Sequence, residues 1–280
     1  MIKANYHTHS CYCDGKETPQ QYVEMAIAKG FTHIGFSGHA PVPFENTFAI
    51  SADKYSEYCS QIQQLKDRYS HKIKISLGLE IDYIPGIIDN FKPLIEEGNL
   101  DYCIGSVHLV NKNKGSDLWF IDGSRQELYD QGLQRVFGGD IKQAVTAFFA
   151  QTNEMITTQK PTIVGHLNKV VMHNKERYFN TSDRWYMALV EETLELAKEN
   201  NCICEINTRG IYKGRYNDYY PSKEIIKIMN EKNIPAVVST DAHHPDDLDK
   251  FEGIYEYLKQ INYKNILYLD SDGIWKDYSI

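Results

Sequence analysis

Short apolar runs alternate with longer amphipathic stretches along the whole chain, and most of the short runs finish on histidine. Strand-like runs fall at 3–9 (KANYHTH), 33–39 (HIGFSGH), 72–84, 101–110, 162–168, 202–208, 236–243 and 265–270. Helix patterns lie between them. Thr18 and Pro19 open the first, a threonine N-cap before a proline at the first helical position, and Gly30 stops it. Others span 51–68, 138–159, 182–200, 222–232 and 246–261. Strand then helix, repeated seven or eight times, requires parallel strands joined by crossover helices, an α/β fold. Neither a change of composition nor a Pro/Gly/Ser linker interrupts 1–280, so the expectation is one domain. Its length suits an α/β barrel, which takes about 250 residues.

Charge and composition narrow the function. Thirty basic against 38 acidic side chains give a net charge of -8, which argues against a sequence-independent grip on nucleic-acid phosphates. The opening MIKANYHTHS has no apolar h-region, and no run reaches the roughly 18 apolar residues that span a bilayer. A cytoplasmic protein without membrane partners is expected. Six cysteines are too sparse for a disulfide scaffold, and Cys202 and Cys204 read as small buried residues on one strand face. The least regular part, 111–137, is polar with embedded aromatics. Trp119, Phe120 and Ile121 there either close over a site or form a small cluster of their own. Nothing in the sequence encodes an oligomeric state.

Of the ten histidines, six end strands: His7 and His9 the first, His39 the second, His108 the fourth, His166 the fifth and His243 the seventh. Glu80 sits late in the third strand and Asp241 two residues before His243. In a parallel barrel every C-terminal strand end points to one mouth, where active sites are built. Residues i and i+2 of a strand share a face, so His7/His9 and Asp241/His243 each aim two groups at one point. Asp14, Glu80 and Asp241 crowded together would repel, and burying them uncompensated would be costly. Divalent cations remove the conflict, because imidazole and carboxylate are ligands for Zn, Fe and Mn. Nine candidate ligands (His7, His9, Asp14, His39, Glu80, His108, His166, Asp241 and His243) suffice for two to three ions. His33, His71, His173 and His244 lack this placement, although His244 could brace the site from behind.

The set H-T-H at 7–9, Asp14, G-H at 38–39, G-L-E at 78–80, G-S-V-H at 105–108, G-H at 165–166 and D-A-H at 241–243 resembles the polymerase-and-histidinol-phosphatase (PHP) superfamily, in motif order and across essentially the whole chain. The resemblance implies a distorted TIM-like (β/α)7 barrel with a metal cluster at the C-terminal strand ends. It also implies three ligand groups: His7, His9, Glu80 and Asp241; Glu80, His108 and His166, with Glu80 bridging; and Asp14, His39 and His243. E-I-N-T-R-G-I-Y-K at 205–213 and Y-P-S at 220–222 resemble the histidinol-phosphate phosphatases within it. Many of those carry a basic residue where Tyr212 stands, and the stretch after His108 differs from their common pattern.

The implied activity is hydrolysis of a phosphate monoester, L-histidinol phosphate in histidine biosynthesis, by in-line attack of a metal-bridging hydroxide. A monoester carries about two negative charges, so donors besides the metals are needed. Arg209 is the candidate for a bidentate phosphate grip, with Lys169, Lys213 and Arg215 as further substrate-binding cations. Asp241 and His243 are the candidates for protonating the leaving group. Tyr83, Tyr212, Tyr219 and Tyr220 flank the expected mouth and offer an aromatic wall for an imidazole. Two enzyme readings compete on the same scaffold, a protein-tyrosine phosphatase and a broad-specificity phosphoesterase. A catalytically silent metal-binding module is the non-enzyme rival.

Overall fold

The computed structural model describes residues 2–112 and 117–278. Its strands are β1 (Ala4–Asn5), β2 (His33–Phe36), β3 (Lys74–Asp82), β4 (Tyr102–Ser106), β5 (Leu109–Asn111), β6 (Leu118–Phe120), β7 (Ile163–Val164), β8 (Ile203–Asn207), β9 (Ala236–Ser239), β10 (Leu267–Leu269) and β11 (Trp275–Asp277). The helices are α1 (Pro19–Ala28), α2 (Tyr55–Tyr69), α3 (Lys92–Gly98), α4 (Gln126–Phe137), α5 (Ile141–Gln159), α6 (Arg184–Glu199), α7 (Arg209–Tyr212), α8 (Lys223–Glu231) and α9 (Ile254–Gln260). Seven strands, in the order β1-β2-β3-β4-β7-β8-β9, pair in parallel throughout. The two edge strands meet beyond their ends, where His9 N donates to the Ala242 carbonyl at 2.8 Å and Ala242 N to that of His7 at 3.0 Å. The result is a nearly closed, distorted (β/α)7 barrel with helices packed around it. No helix among the described residues is long and apolar enough to cross a membrane.

Local chemistry sets the helix limits. Thr18 caps α1 in a reciprocal box, its hydroxyl accepting from Gln21 N and its own N–H donating to Gln21 Oε1. The helix expected from 138 begins later, because Gly138 and Gly139 take positive φ and terminate α4, and Asp140 then caps α5 by accepting from Gln143 N at 3.0 Å. The pattern at 246–261 shortens to a 3₁₀ turn, Pro245–Asp247, and α9. Left-handed Glu252 (φ 49°) and Gly253 (φ 74°) separate the two.

Two segments depart further from the expected pattern. The run at 265–270 does not become an eighth barrel strand: β10 pairs antiparallel with β11 across a turn in which Asp270 accepts from Asp272 N and Ile274 N. The irregular 111–137 segment contributes to an antiparallel β5–β6 hairpin and then α4, with 113–116 outside the described residues. Its aromatics divide. Trp119 is buried against Tyr129 and Phe137 as part of the main hydrophobic core, while Phe120 lines the cavity over the strand ends.

The barrel interior is filled by Ala4, Tyr6, Tyr102, Ile104, Ile163, Ile203 and Val237, with Leu269 and Trp275 of the C-terminal hairpin against them. Tyr102 Oη donates to the carbonyls of Tyr6 (2.6 Å) and Phe36 (3.1 Å), tying three strand regions together. Its ring needs the space left by glycines. A Cβ on Gly78 would come 2.6 Å from the ring, and one on Gly35 2.4 Å from the hydroxyl. The glycine of the G-L-E motif is therefore a packing glycine one turn of pleat from the carboxylate. Gly78→Ala is expected to lower the unfolding free energy by about 1–3 kcal/mol through overpacking. Urea denaturation at fixed metal concentration reads this, and an unchanged midpoint would refute it.

Candidate metal centre

The expected residues converge at the C-terminal mouth. Glu80, near the end of β3 and 1% exposed, is the hub. Its Oε2 lies 3.1 Å from His7 Nε2, 3.2 Å from His39 Nδ1 and 3.5 Å from His9 Nε2. Its Oε1 lies 3.0 Å from His166 Nε2 and 3.4 Å from His108 Nε2, and accepts from Ser106 Oγ at 2.7 Å. Asp241 Oδ1 stands 3.5 Å from His9 Nε2 and 3.9 Å from His7 Nε2. Asp14 Oδ1 faces His243 Nε2 at 3.2 Å, His9 Nδ1 at 3.7 Å and His39 Nε2 at 3.9 Å. Ligand-type atoms gather in three overlapping groups: His9, Asp14, His39 and His243; His7, His9 and Asp241; and His39, Glu80 and His108. His9 and His39 thus take part in two groups each.

The donor set fits divalent cations on the protein's own chemistry. His7 Nε2, His9 Nε2, His39 Nδ1 and Asp14 Oδ1 are buried, face one another and have no hydrogen-bond partner. Such orphaned atoms are costly unless something positive sits among them. Burial, with His243 and His39 alongside, pushes His9 well below the ordinary imidazole range, leaving it a neutral donor. Burial opposes ionisation of Glu80 and Asp241 too, but His7, His39 and His108 around Glu80 and Arg209 and His7 around Asp241 hold both well below the usual carboxylate range. For His108 burial is outweighed by Asp82, Asp122 and Glu80, which raise it to about 10, a proton that a divalent cation displaces.

Buried carboxylates that the motif set does not include orient the rings. Glu205 Oε1 binds His7 Nδ1 at 2.6 Å, and its Oε2 accepts from His166 N at 2.7 Å. Asp82 Oδ1 accepts from His108 N at 3.1 Å and meets its Nδ1 at 2.8 Å. Each contact leaves Nε2 as the free nitrogen, so the carboxylate selects the tautomer. The signal was present as a lone acidic residue in an apolar run, C-E-I at 204–206 and I-D-Y at 81–83.

A cavity of about 280 Å³ opens over the cluster, lined among others by Thr47, Phe48, Phe120, Asp122, Lys169, Arg209 and Arg215. Arg209 is 8% exposed, and its contacts to the Asp241 carbonyl, to His243 Nδ1 (2.7 Å) and to Tyr212 Oη (3.5 Å) all fall on Nη1. Lys169 Nζ stands 3.7 Å from both Asp122 Oδ2 and Asp241 Oδ2. Tyr212 Oη donates to the Thr240 carbonyl at 2.8 Å, so with Arg209 it holds the backbone at Asp241, whose φ of 52° is left-handed.

Several expected residues lie elsewhere. Lys213 is not brought to the cavity, because its ammonium pairs with Asp247 at 2.8 Å. His244 caps the 3₁₀ turn after the site, accepting from Asp246 N, and is no brace for the cluster. Tyr83, Tyr219 and Tyr220 are buried in the core and Tyr212 supports backbone, so the aromatic lining is Phe48 and Phe120 instead. Asp122, in the irregular segment, is the acidic residue of the lining that no motif announced.

Known proteins agree with this architecture. The PHP domain model matches residues 5–209, which leaves Asp241 and His243 beyond the matched stretch. The Bacillus subtilis histidinol-phosphatase is 26% identical, covering 89% of this chain and 96% of that one. A candidate histidinol phosphatase of Listeria monocytogenes superposes with a TM-score of 0.80 at 24% identity, over 90% of this chain and 100% of that one. The Lactococcus lactis histidinol phosphate phosphatase, solved with zinc, L-histidinol and phosphate, gives 0.67 at 21% identity over 98% and 99%. At those identities the two structures speak to the fold, and with the model match they place the chain: it belongs to the PHP domain family.

Proposed function

We propose that this protein is a metal-dependent phosphomonoesterase, a histidinol-phosphatase that hydrolyses L-histidinol phosphate to L-histidinol and phosphate in histidine biosynthesis, as a single-domain cytoplasmic enzyme. One observation carries the reading: His39, His108 and His243 with Asp14, Glu80 and Asp241, the exposed face of the histidine and carboxylate cluster, line one cavity with Lys169, Arg209 and Arg215. That pairing joins a seat for cations to a seat for a dianion. The name of the Bacillus relative and the zinc, L-histidinol and phosphate in the Lactococcus structure support the same substrate. So does a cavity of about 280 Å³, which suits a small ester better than a protein side chain on its backbone.

His7, His9, Glu80 and Asp241 would hold one ion, Glu80, His108 and His166 a second, and Asp14, His39 and His243 a third. Zn, Fe or Mn suits these ligands and supplies Lewis-acid charge for transfer of the phosphoryl group to water. The chain's own residues do the rest. Arg209, with Nε and Nη2 outside its internal contacts, grips the phosphoryl oxygens, and Lys169 and Arg215 add charge at the same wall. Asp241, held ionised beside Arg209 and His7, orients the attacking water by accepting a hydrogen bond from it, and the proton the water loses reaches the ester oxygen through solvent in the open cavity as the P–O bond breaks. His243 is not the proton carrier in this scheme, since Nδ1 is engaged by Arg209 and Nε2 faces Asp14. Glu205 and Asp82 keep His7 and His108 in the ligating tautomer.

Three outcomes are expected. Zinc- or manganese-loaded protein releases phosphate from L-histidinol phosphate in preference to p-nitrophenyl phosphate, chelation abolishes turnover and metal restores it; steady-state kinetics showing no preference would remove the histidine-pathway assignment. Glu205→Gln weakens metal binding by about 10- to 100-fold, as loss of a ring-orienting carboxylate does, measured by competition with a chromophoric chelator. Arg209→Lys raises KM and lowers kcat/KM for the phosphate ester by about 10-fold or more, since one ammonium cannot replace the fork. Equal kinetics for the lysine variant would take Arg209 out of the phosphate grip.

A further inference from the structure

Asp122 is the cavity-lining carboxylate that none of the three proposed ligand groups uses. Its Oδ2 is 3.8 Å from His108 Nε2 and 3.7 Å from Lys169 Nζ, both beyond hydrogen-bonding distance. Both contacts fall on that one oxygen, and among the described residues the carboxylate accepts no hydrogen bond. The group is nonetheless well positioned, with a side chain only 14% exposed. Ile121 N donates to the His108 carbonyl at 3.0 Å on one side of it, and His173 Nε2 binds the Gly123 carbonyl at 2.7 Å on the other. A fixed, mostly buried carboxylate with its acceptor sites unused is a seat for a hydrogen-bonding cation.

We propose that Asp122 binds the substrate's ammonium group and makes the pocket selective for phosphate monoesters of 2-amino alcohols. The proposal rests on the phosphomonoesterase reading of the cavity and adds the residue that chooses among esters. The geometry fits this class. A phosphoryl group over the Glu80–His108 face puts its ester oxygen close to Asp122, and in such an ester the nitrogen lies two carbons on, about 3 Å from that oxygen. Lys169, equidistant from Asp122 and Asp241, then faces the phosphate while Asp122 faces the ammonium, so each end of the zwitterion meets its opposite charge. Phe48 and Phe120, with ring centroids 6.4 Å apart, offer the apolar wall for the carbon frame. An ester without the amine would desolvate Asp122 with no hydrogen-bond donor in reach, its two cationic neighbours lying at 3.7 and 3.8 Å, which is how a polar pocket rejects a near-isostere.

Binding of two non-hydrolysable isosteres to the zinc-loaded protein tests this. 3-Aminopropylphosphonate and butylphosphonate share one frame and differ by ammonium against methyl. The amine is expected to bind about 10- to 100-fold more tightly, the worth of a charge-assisted hydrogen bond. In Asp122→Asn the ratio is expected to fall close to one, with zinc content measured in the same samples. Asp122→Ser gives the same readout should the asparagine variant not fold. Equal affinities in the unsubstituted protein, no binding of either phosphonate, or a ratio that survives both substitutions would overturn the proposal. The last result would assign Asp122 to His108 and Lys169 instead. Phosphate release from L-histidinol phosphate is scored separately: its absence with the binding ratio intact removes the phosphatase reading and leaves Asp122 its ammonium.

Discussion

The barrel's first and last strands meet through a short stretch of backbone, with Asn5 bonded to Thr240 beside it. β1 has only two residues in regular pairing and does not itself ladder onto β9; the circle closes through Thr8 and Ala242. Those are the middle residues of H-T-H and D-A-H. Ala242 donates to the His7 carbonyl and accepts from His9 N, which fixes the distance between the first and last strands, and the flanking side chains, His7, His9, Asp241 and His243, point into the mouth as a result. The residues that close the fold are thus the residues that bring four of the cluster's side chains together.

The second constraint is electrostatic. Glu80, Asp241 and Glu205 are all nearly inaccessible to solvent, and burial alone would drive protons onto them. The structure counters this with imidazoles, Arg209 and Lys169 arranged so that each carboxylate oxygen has a positive or hydrogen-bonding neighbour. Ionised carboxylates and oriented rings are what cations need, and the charge a metal brings replaces the proton that Asp82, Asp122 and Glu80 hold on His108.

Much of this was legible in the residues. Histidine at the ends of successive strands has a geometric meaning in a parallel barrel, and H-x-H and D-x-H fix a shared face, so the cluster followed from period and topology. The three ion-by-ion groups are what the family resemblance implies; the ligand-type atoms gather differently, with His39 joining Glu80 and His108, and with His9 joining Asp14, His39 and His243. Legibility failed where sequence neighbours part company in space. Lys213 lies four residues beyond Arg209, but α7 is a single turn and turns that side chain towards Asp247. Three of the tyrosines expected at the mouth, Tyr83, Tyr219 and Tyr220, are drawn into the core and the fourth, Tyr212, is tied to the Thr240 carbonyl, leaving Phe48 and Phe120 at the cavity. Asp122 could not be found by pattern, since it stands outside any periodic element. Glu252 and Gly253 broke a helix that amphipathicity alone supported, as left-handed residues do irrespective of which faces are apolar.

The C-terminal hairpin has a consequence for traffic. Trp275 lies 5.0 Å from Tyr6 and 6.3 Å from Tyr102, ring to ring, and with Leu269 stoppers the barrel at the end away from the metal cluster. Among the described residues the cluster meets solvent through the cavity lined by Phe48 and Phe120. In the proposed reaction a phosphoryl group drawn to the cations would sit deepest, with the alcohol between it and solvent. The alcohol would then leave first and phosphate last, and free phosphate would compete with the next substrate for the same floor.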